Sequence, residues 1–196
     1  MTAIRHLRAV DYPRMPWKNG AGSTLEIARD AGDGLDGFGW RLSIADVGES
    51  GAFSRFDGYQ RIISMIEGTG MCLTVDGQPS RDLRVLDAFA FSGDSAVDCR
   101  LLDGPIRDFN LIYSPARYHA RLQWLRLDGD AQVLGSAPLW LVFSLADGLA
   151  VRLEGETVAT LGYLDCLQVD SASAALKELR LDGQGACALI ELQPLA

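Results

Sequence analysis

A chain that repeats itself is constrained to fold as two related units, and this one repeats at a single offset. Displaced by 78 residues, segment 70–94 lies on segment 148–172 without a gap. Gly70 meets Gly148, Val75-Asp76-Gly77 meets Leu153-Glu154-Gly155, and Leu86-Asp87 meets Leu164-Asp165. Phe89 and Phe91 fall on Leu167 and Val169. The same offset places Ile63 on Leu141 and Leu111-Ile112 on Leu189-Ile190. Apolar matches alone carry little weight. Acidic-Gly and Leu-Asp pairs kept in register mark a duplication.

The repeated unit reads as β. CLTVDG, AVRLEG, LRLDG and LRLDGQG each set a short apolar run before an acidic-Gly pair, the signal of a tight hairpin turn. Residues 38–47 alternate with period two, Trp40, Leu42 and Ile44 on one face and Arg41 and Ser43 on the other. Helix is scarce, and SASAALKEL at 171–179 is the best candidate, for one or two turns. Many short strands with regular turns predict a sandwich or barrel. The expected fold is all-β, a duplicated cupin-like barrel (a bicupin), with an N-terminal barrel over residues 1–114 and a degenerate copy over 115–196. The join falls near Ser114-Pro115, since proline cannot donate to a strand ladder.

Charge excludes some functions. Lys and Arg total 18 against 26 Asp and Glu, a net −8, and each half carries half of it. No basic half is hidden, so nucleic acid is not an expected partner. The N-terminus lacks a signal-peptide apolar core, and the most apolar stretch, 134–146, is broken by Gly135, Ser136 and Pro138. A membrane is therefore not expected either. Cys72, Cys99, Cys166 and Cys187 show no CxxC spacing and read as buried free thiols of a cytoplasmic protein.

The inventory is thin for most chemistry. His6 and His119 stand 113 residues apart, so the His-rich metal site of most cupins cannot be assembled, and no metal or cofactor is expected. GAFSRFDG is not a GxSxG elbow. GAGST at 20–24 lacks the lysine of a phosphate loop and reads as a bend before a strand over 24–29.

Polar residues are anomalous in one copy. At the 78-residue offset Gln60 maps to Pro138, Arg61 to Leu139, Ser64 to Val142 and Asn110 to Ala188. Positions that pack in one barrel are polar in the other, and buried polar groups are costly unless satisfied. Each arginine alone reads as a solvated strand edge. Together, Arg41 and Arg61 would bind a carboxylate bidentately, with Asn19 and Asn110, the only two asparagines, adding amide groups. The expectation is one anion-binding pocket, in the first barrel only.

The same segments resemble the HutD/Ves family. WKNGAGSTLEI is similar to its W-K/R-N-G-G-G-x-T-x-E-I signature, and FGWRLSIADVGESGAFSRFDGYQRII to its W-R-x-S-x-A…G-x-F-S-x-F-x-G-x-x-R block. RDFN around Asn110 also resembles a family segment, and Ala21 stands where the family has its middle glycine. The resemblance implies a bicupin without metal ligands and an accessory or regulatory role in bacterial histidine utilisation. It implies site residues Asn19, Thr24, Glu26, Arg41, Ser43, Arg61 and Asn110, and a small anionic metabolite as partner, N-formylglutamate before urocanate. Two alternatives stay open: a metal-independent cupin enzyme with Glu26 as general acid/base, and a protein-interaction module. A homodimer through strand edges is the self-assembly to look for.

Overall fold

Of the four apolar runs that end in an acidic-Gly pair, CLTVDG and AVRLEG fold back on themselves as two-residue hairpins. LRLDG and LRLDGQG do not turn and continue inside the strands Tyr118–Gly135 and Lys177–Pro194, where strand pairing overrides the local turn signal. A computed structural model of the chain describes residues 2–17, 20, 22–32, 37–172 and 175–195. In it Val75 pairs with Gln78 across Asp76-Gly77, and Leu153 with Glu156 across Glu154-Gly155. Both central residues have positive φ in each turn, 48° and 82° in one and 49° and 86° in the other. That is the conformation whose twist suits a hairpin. Gly77→Ala, placing a Cβ at φ +82°, is expected to cost about 1–2 kcal/mol in urea unfolding.

Two compact units form, one of Pro13–Tyr118 and one of His119–Ala196 together with Met1–Tyr12. Numbered along the chain, β1 (Thr2–Leu7) belongs to the second unit. The first unit contains β2 (Arg14–Pro16), β3 (Gly22–Arg29), β4 (Trp40–Val47), β5 (Gly51–Ala52) and β6 (Gln60–Glu67). It continues with β7 (Met71–Val75), β8 (Gln78–Pro79), β9 (Ala88–Ser92), β10 (Val97–Leu101) and β11 (Ile106–Tyr113). A six-stranded sheet in the order β2-β3-β4-β11-β6-β9 faces a four-stranded one, β5-β10-β7-β8. Between them Ile63, Met65, Met71, Leu73, Val97 and Cys99 form a closed apolar core.

The second unit has β12 (Tyr118–Gly135), β13 (Leu139–Ser144), β14 (Leu149–Leu153), β15 (Glu156–Leu161), β16 (Cys166–Ser171) and β17 (Lys177–Pro194). Its sheet runs β1-β16-β13-β17-β14-β15, with β12 also on β17. Trp140, Val142, Leu149, Val151, Leu167 and Leu189 fill its core. No helix among the described residues is long and apolar enough to cross a membrane, and the four cysteines are free and buried.

The all-β duplicated barrel is as expected, but beyond the two runs that do not turn, three details differ from the sequence reading. First, a cut at residue 114 assigns the N-terminal segment to the wrong unit. β1 pairs with β16 from Thr2↔Ser171 to Leu7↔Cys166, and the Tyr12 hydroxyl donates to the Leu164 carbonyl at 2.8 Å. Such pairing across the whole chain leaves no local trace. Second, the described residues of 171–179, which leave out 173 and 174, contain no helix. Ser171 ends β16 and Lys177 opens β17, where Leu179 and Leu181 pair with Leu153 and Val151. Burial of alternate residues against β14 overrides a weak helical propensity.

The third difference is one of register. The 78-residue offset holds in the middle of the repeat: Leu86 and Leu164 share φ near +70° (69° and 66°). In the flanking strands it becomes 79. Ile63 pairs with Phe89 and Asn110, whereas Val142 pairs with Leu167 and Leu189. With Phe89 on Leu167, Ile63 therefore falls on Val142 and Asn110 on Leu189. The Leu86 amide donates to Met65 and the Leu164 amide to Ser144, the same displacement. The true counterpart of Arg61 is thus Trp140, and that of Ser64 is Phe143. One residue fewer in the C-terminal copy, between its β13 and Gly148, makes the slip on one side, and one residue more between Leu167 and Leu189 makes it on the other.

Candidate functional site

Register decides which side chains enter the first barrel. From β4 they are Arg41, Ser43, Ala45 and Val47, from β6 Arg61, Ile63 and Met65, and from β11 Asp108, Asn110 and Ile112. Val47, Ile63 and Met65 pack into the apolar core. The polar members, with Ala45 and Ile112, line a cavity of about 680 Å³, walled also by Trp17, Thr24, Phe53, Ser54 and Phe56. Trp17 packs against Gly22, where an added Cβ would sit 2.2 Å from the Asp46 carbonyl and 3.0 Å from the indole ring. The Trp17 indole then donates to Thr24 Oγ1 at 2.9 Å.

Neither arginine is a solvated edge. Arg41 is 3% exposed and Arg61 6%. Arg41 Nε donates to Glu26 Oε2 at 2.6 Å, and Arg29 Nε donates to Glu26 Oε1 at 2.7 Å. Burial works against the Glu26 charge, but the hydrogen bonds from Arg29 and Arg41 outweigh it and hold the carboxyl below its usual range. Arg61 makes no ion pair among the described residues. Its Nη2 donates to Asn110 Oδ1 at 2.8 Å and its Nη1 to the Ser54 carbonyl at 3.1 Å. The rings of Phe53, Phe56 and Phe91 surround the guanidinium at 5.6, 5.3 and 5.0 Å, a cation–π cage. Nε is buried without a hydrogen-bond partner. Burial pulls Arg61 down to about 10, Asp108 offsetting part of this and the Arg41 charge adding to it.

Asp108, 1% exposed, accepts a short hydrogen bond from Asn110 Nδ2. Burial pushes its carboxyl up to about 7, against the pull of Arg61 and with a further push from Asp46. Near neutrality two guanidinium groups, Arg41 and Arg61, therefore line the cavity; of the two only Arg41 is paired to Glu26, and Asp108 holds part of its proton. A buried cationic excess of this kind is stabilised by an incoming anion.

The Asp108 shift has a consequence for stability. The folded state keeps a proton that the unfolded chain releases near pH 4, so this residue's contribution declines as pH rises from about 4 to about 7. Compared with Asp108→Asn, the wild type is expected to lose up to about 1.4 kcal/mol per pH unit in that window. Urea unfolding of both proteins at pH 5 and pH 8 measures the difference.

Of the residues expected at the site, the cavity brings together Thr24, Arg41, Ser43, Arg61 and Asn110. Glu26 stands behind Arg41 as its counter-ion and is not on the wall. Asn19 lies outside the described residues. Ser64 projects from the other face of β6, so its polarity has no bearing on the cavity. Asp108 was missed, although period two along RDFN puts it on the Asn110 face of an otherwise apolar strand. The phenylalanine cage was missed because aromatic runs read first as core. The histidines are elsewhere: His6 bonds Asp165 at 2.9 Å, and His119 is exposed. A second groove, of about 630 Å³, has its charges paired off, Arg14 and Arg107 with Asp46 at 2.6 and 2.7 Å.

In the second barrel the counterparts of Arg61 and Asn110, Trp140 and Leu189, pack into the core. Among the described residues, the Arg61–Asn110 pair has no polar counterpart at the equivalent positions of the second barrel.

Comparison with known proteins agrees with this architecture. The chain is 57% identical over 192 residues, 98% of each chain, to the uncharacterized 21.2 kDa protein in the hutC 3′ region of Pseudomonas putida. A crystal structure of a conserved protein of unknown function from Pseudomonas aeruginosa PAO1 is 60% identical, with TM-score 0.95 over 97% of this chain and 99% of that one. HutD from Pseudomonas fluorescens SBW25, solved in a formate condition, is also 60% identical, with TM-score 0.85 over 99% of this chain and 100% of that one. Far more distant structures share the fold alone, among them a bacterial pirin from Escherichia coli at 9% identity and TM-score 0.68. The HutD family model matches residues 9–189, and the chain belongs to the HutD family.

Proposed function

We propose that the cavity of the first barrel binds a small carboxylate metabolite and that the protein serves bacterial histidine utilisation in the cytoplasm as an accessory or regulatory factor. Membership of the HutD family ties it to that pathway. The observation that carries the ligand class is the buried pair Arg41 and Arg61 in one cavity, with only Glu26 firmly ionised beside them. N-formylglutamate is the preferred ligand, urocanate the second. The first offers two carboxylates for the guanidinium groups and a formamide for Asn110. Glu26, clamped by Arg29 and Arg41, acts as a counter-ion and not as a general acid or base. Thermal unfolding with histidine, urocanate, N-formylglutamate, glutamate and formate, on wild type and Arg61→Met, tests the reading.

A further inference from the structure

Arg61 and Asp108 both line the cavity yet do not pair. Asn110 stands between them, taking a hydrogen bond from Arg61 on Oδ1 and giving one to Asp108 Oδ1 through Nδ2. This chain has a direction. A guanidinium can only donate, so it fixes the amide oxygen toward Arg61 and the amide nitrogen toward Asp108. Asp108 Oδ1 is thereby held as an acceptor, and the acid proton is left to Oδ2. A direct Arg61–Asp108 ion pair would have neutralised both groups. The interposed asparagine keeps the guanidinium charge and the carboxylic acid proton separately available.

We propose that Asp108 is a specificity-determining residue of this cavity, donating its carboxyl proton to a carbonyl oxygen of a ligand whose carboxylate lies at Arg41. The proposal rests on the anion-binding reading given above. It names a ligand with two kinds of group, an anionic carboxylate and a neutral acceptor. An ionised Asp108 would repel the first and could not serve the second. The charged and titratable groups that act on Asp108 are Arg61 from β6, Arg41 from β4 and Cys99 from β10 within the barrel, and Asp46 from the other face of β4, while the Ala45 amide donates to its carboxyl. Arg61 favours ionisation and Asp46 opposes it, while burial pushes the Cys99 thiol up to about 12 and keeps it neutral. Binding then takes up a proton wherever Asp108 has lost it. With its carboxyl at about 7, linkage makes binding roughly tenfold weaker at pH 8 than at pH 6.

Isothermal titration with N-formylglutamate and with glutarate, which keeps both carboxylates but lacks the formamide, tests this at pH 6 and pH 8. Running pH 8 in two buffers of different ionisation enthalpy counts the protons. Wild type is expected to prefer N-formylglutamate, to bind it about tenfold more weakly at pH 8, and to take up close to one proton there. Asp108→Asn, permanently neutral and able to donate, should lose the pH dependence. Asp108→Ala should lose the preference over glutarate, with circular dichroism confirming its fold. Binding that depends on Arg61 but has no pH dependence and no proton uptake overturns the role of Asp108 and spares the anion site. No binding of either compound at either pH overturns both.

Discussion

N-formylglutamate at 100 times its dissociation constant is expected to raise the thermal midpoint of the wild-type protein by roughly 5–10 °C. A ligand that binds only the folded state contributes about 2.7 kcal/mol at that concentration, and a chain of this size shifts by roughly 2–4 °C per kcal/mol. Arg61→Met should fold and give no shift. Methionine keeps apolar contact with Phe53, Phe56 and Phe91, so the cage stays filled while the charge is lost. The variant's midpoint without ligand checks folding. A shift that survives Arg61→Met moves the ligand out of this cavity. No shift with any of the five compounds removes the metabolite-binding reading and turns the search to protein partners.

Trp140→Ala is expected to be among the most destabilising single substitutions in the second barrel, at about 3–5 kcal/mol. Trp140 is 1% exposed and packs inside the core where the first barrel holds Arg61. Removing its ring leaves a cavity between strands already fixed by their ladders. The midpoint should fall by roughly 6–20 °C, while the ligand-induced increment stays as in wild type. Arg61→Met should do the reverse. Two substitutions at one equivalent position would then separate stability from binding, one in each copy. Loss of the ligand response in Trp140→Ala would show instead that the second barrel does more than support the fold.

Much of the candidate site was visible in the residues. Period two over 38–47 put Arg41 and Ser43 together, and β4 keeps them so. The repeat drew attention to Arg61 and Asn110, even though its offset misassigned their counterparts by one residue. The polar-apolar contrast at these positions holds because Trp140 and Leu189 are as apolar as Leu139 and Ala188. The inference from polarity to the cavity failed for Ser64, which faces away from it. A one-residue slip in a strand exchanges its faces, and nothing in a pairwise match at constant offset detects a shortened loop.

By itself the sequence determined the β class, the duplication, two of the four acidic-Gly hairpins and the polar-apolar difference between copies. Each of these is a local pattern, written in neighbouring residues or their regular recurrence. Only the tertiary structure decided that β1 completes the second unit, that Arg41 and Arg61 share a cavity, that Glu26 is spent on Arg29 and Arg41, and that Asp108 is kept from Arg61 by Asn110. Those facts depend on which strands become neighbours and which face turns inward. They also depend on burial, which sets how far a charge is stripped of water and so whether a carboxyl keeps its proton.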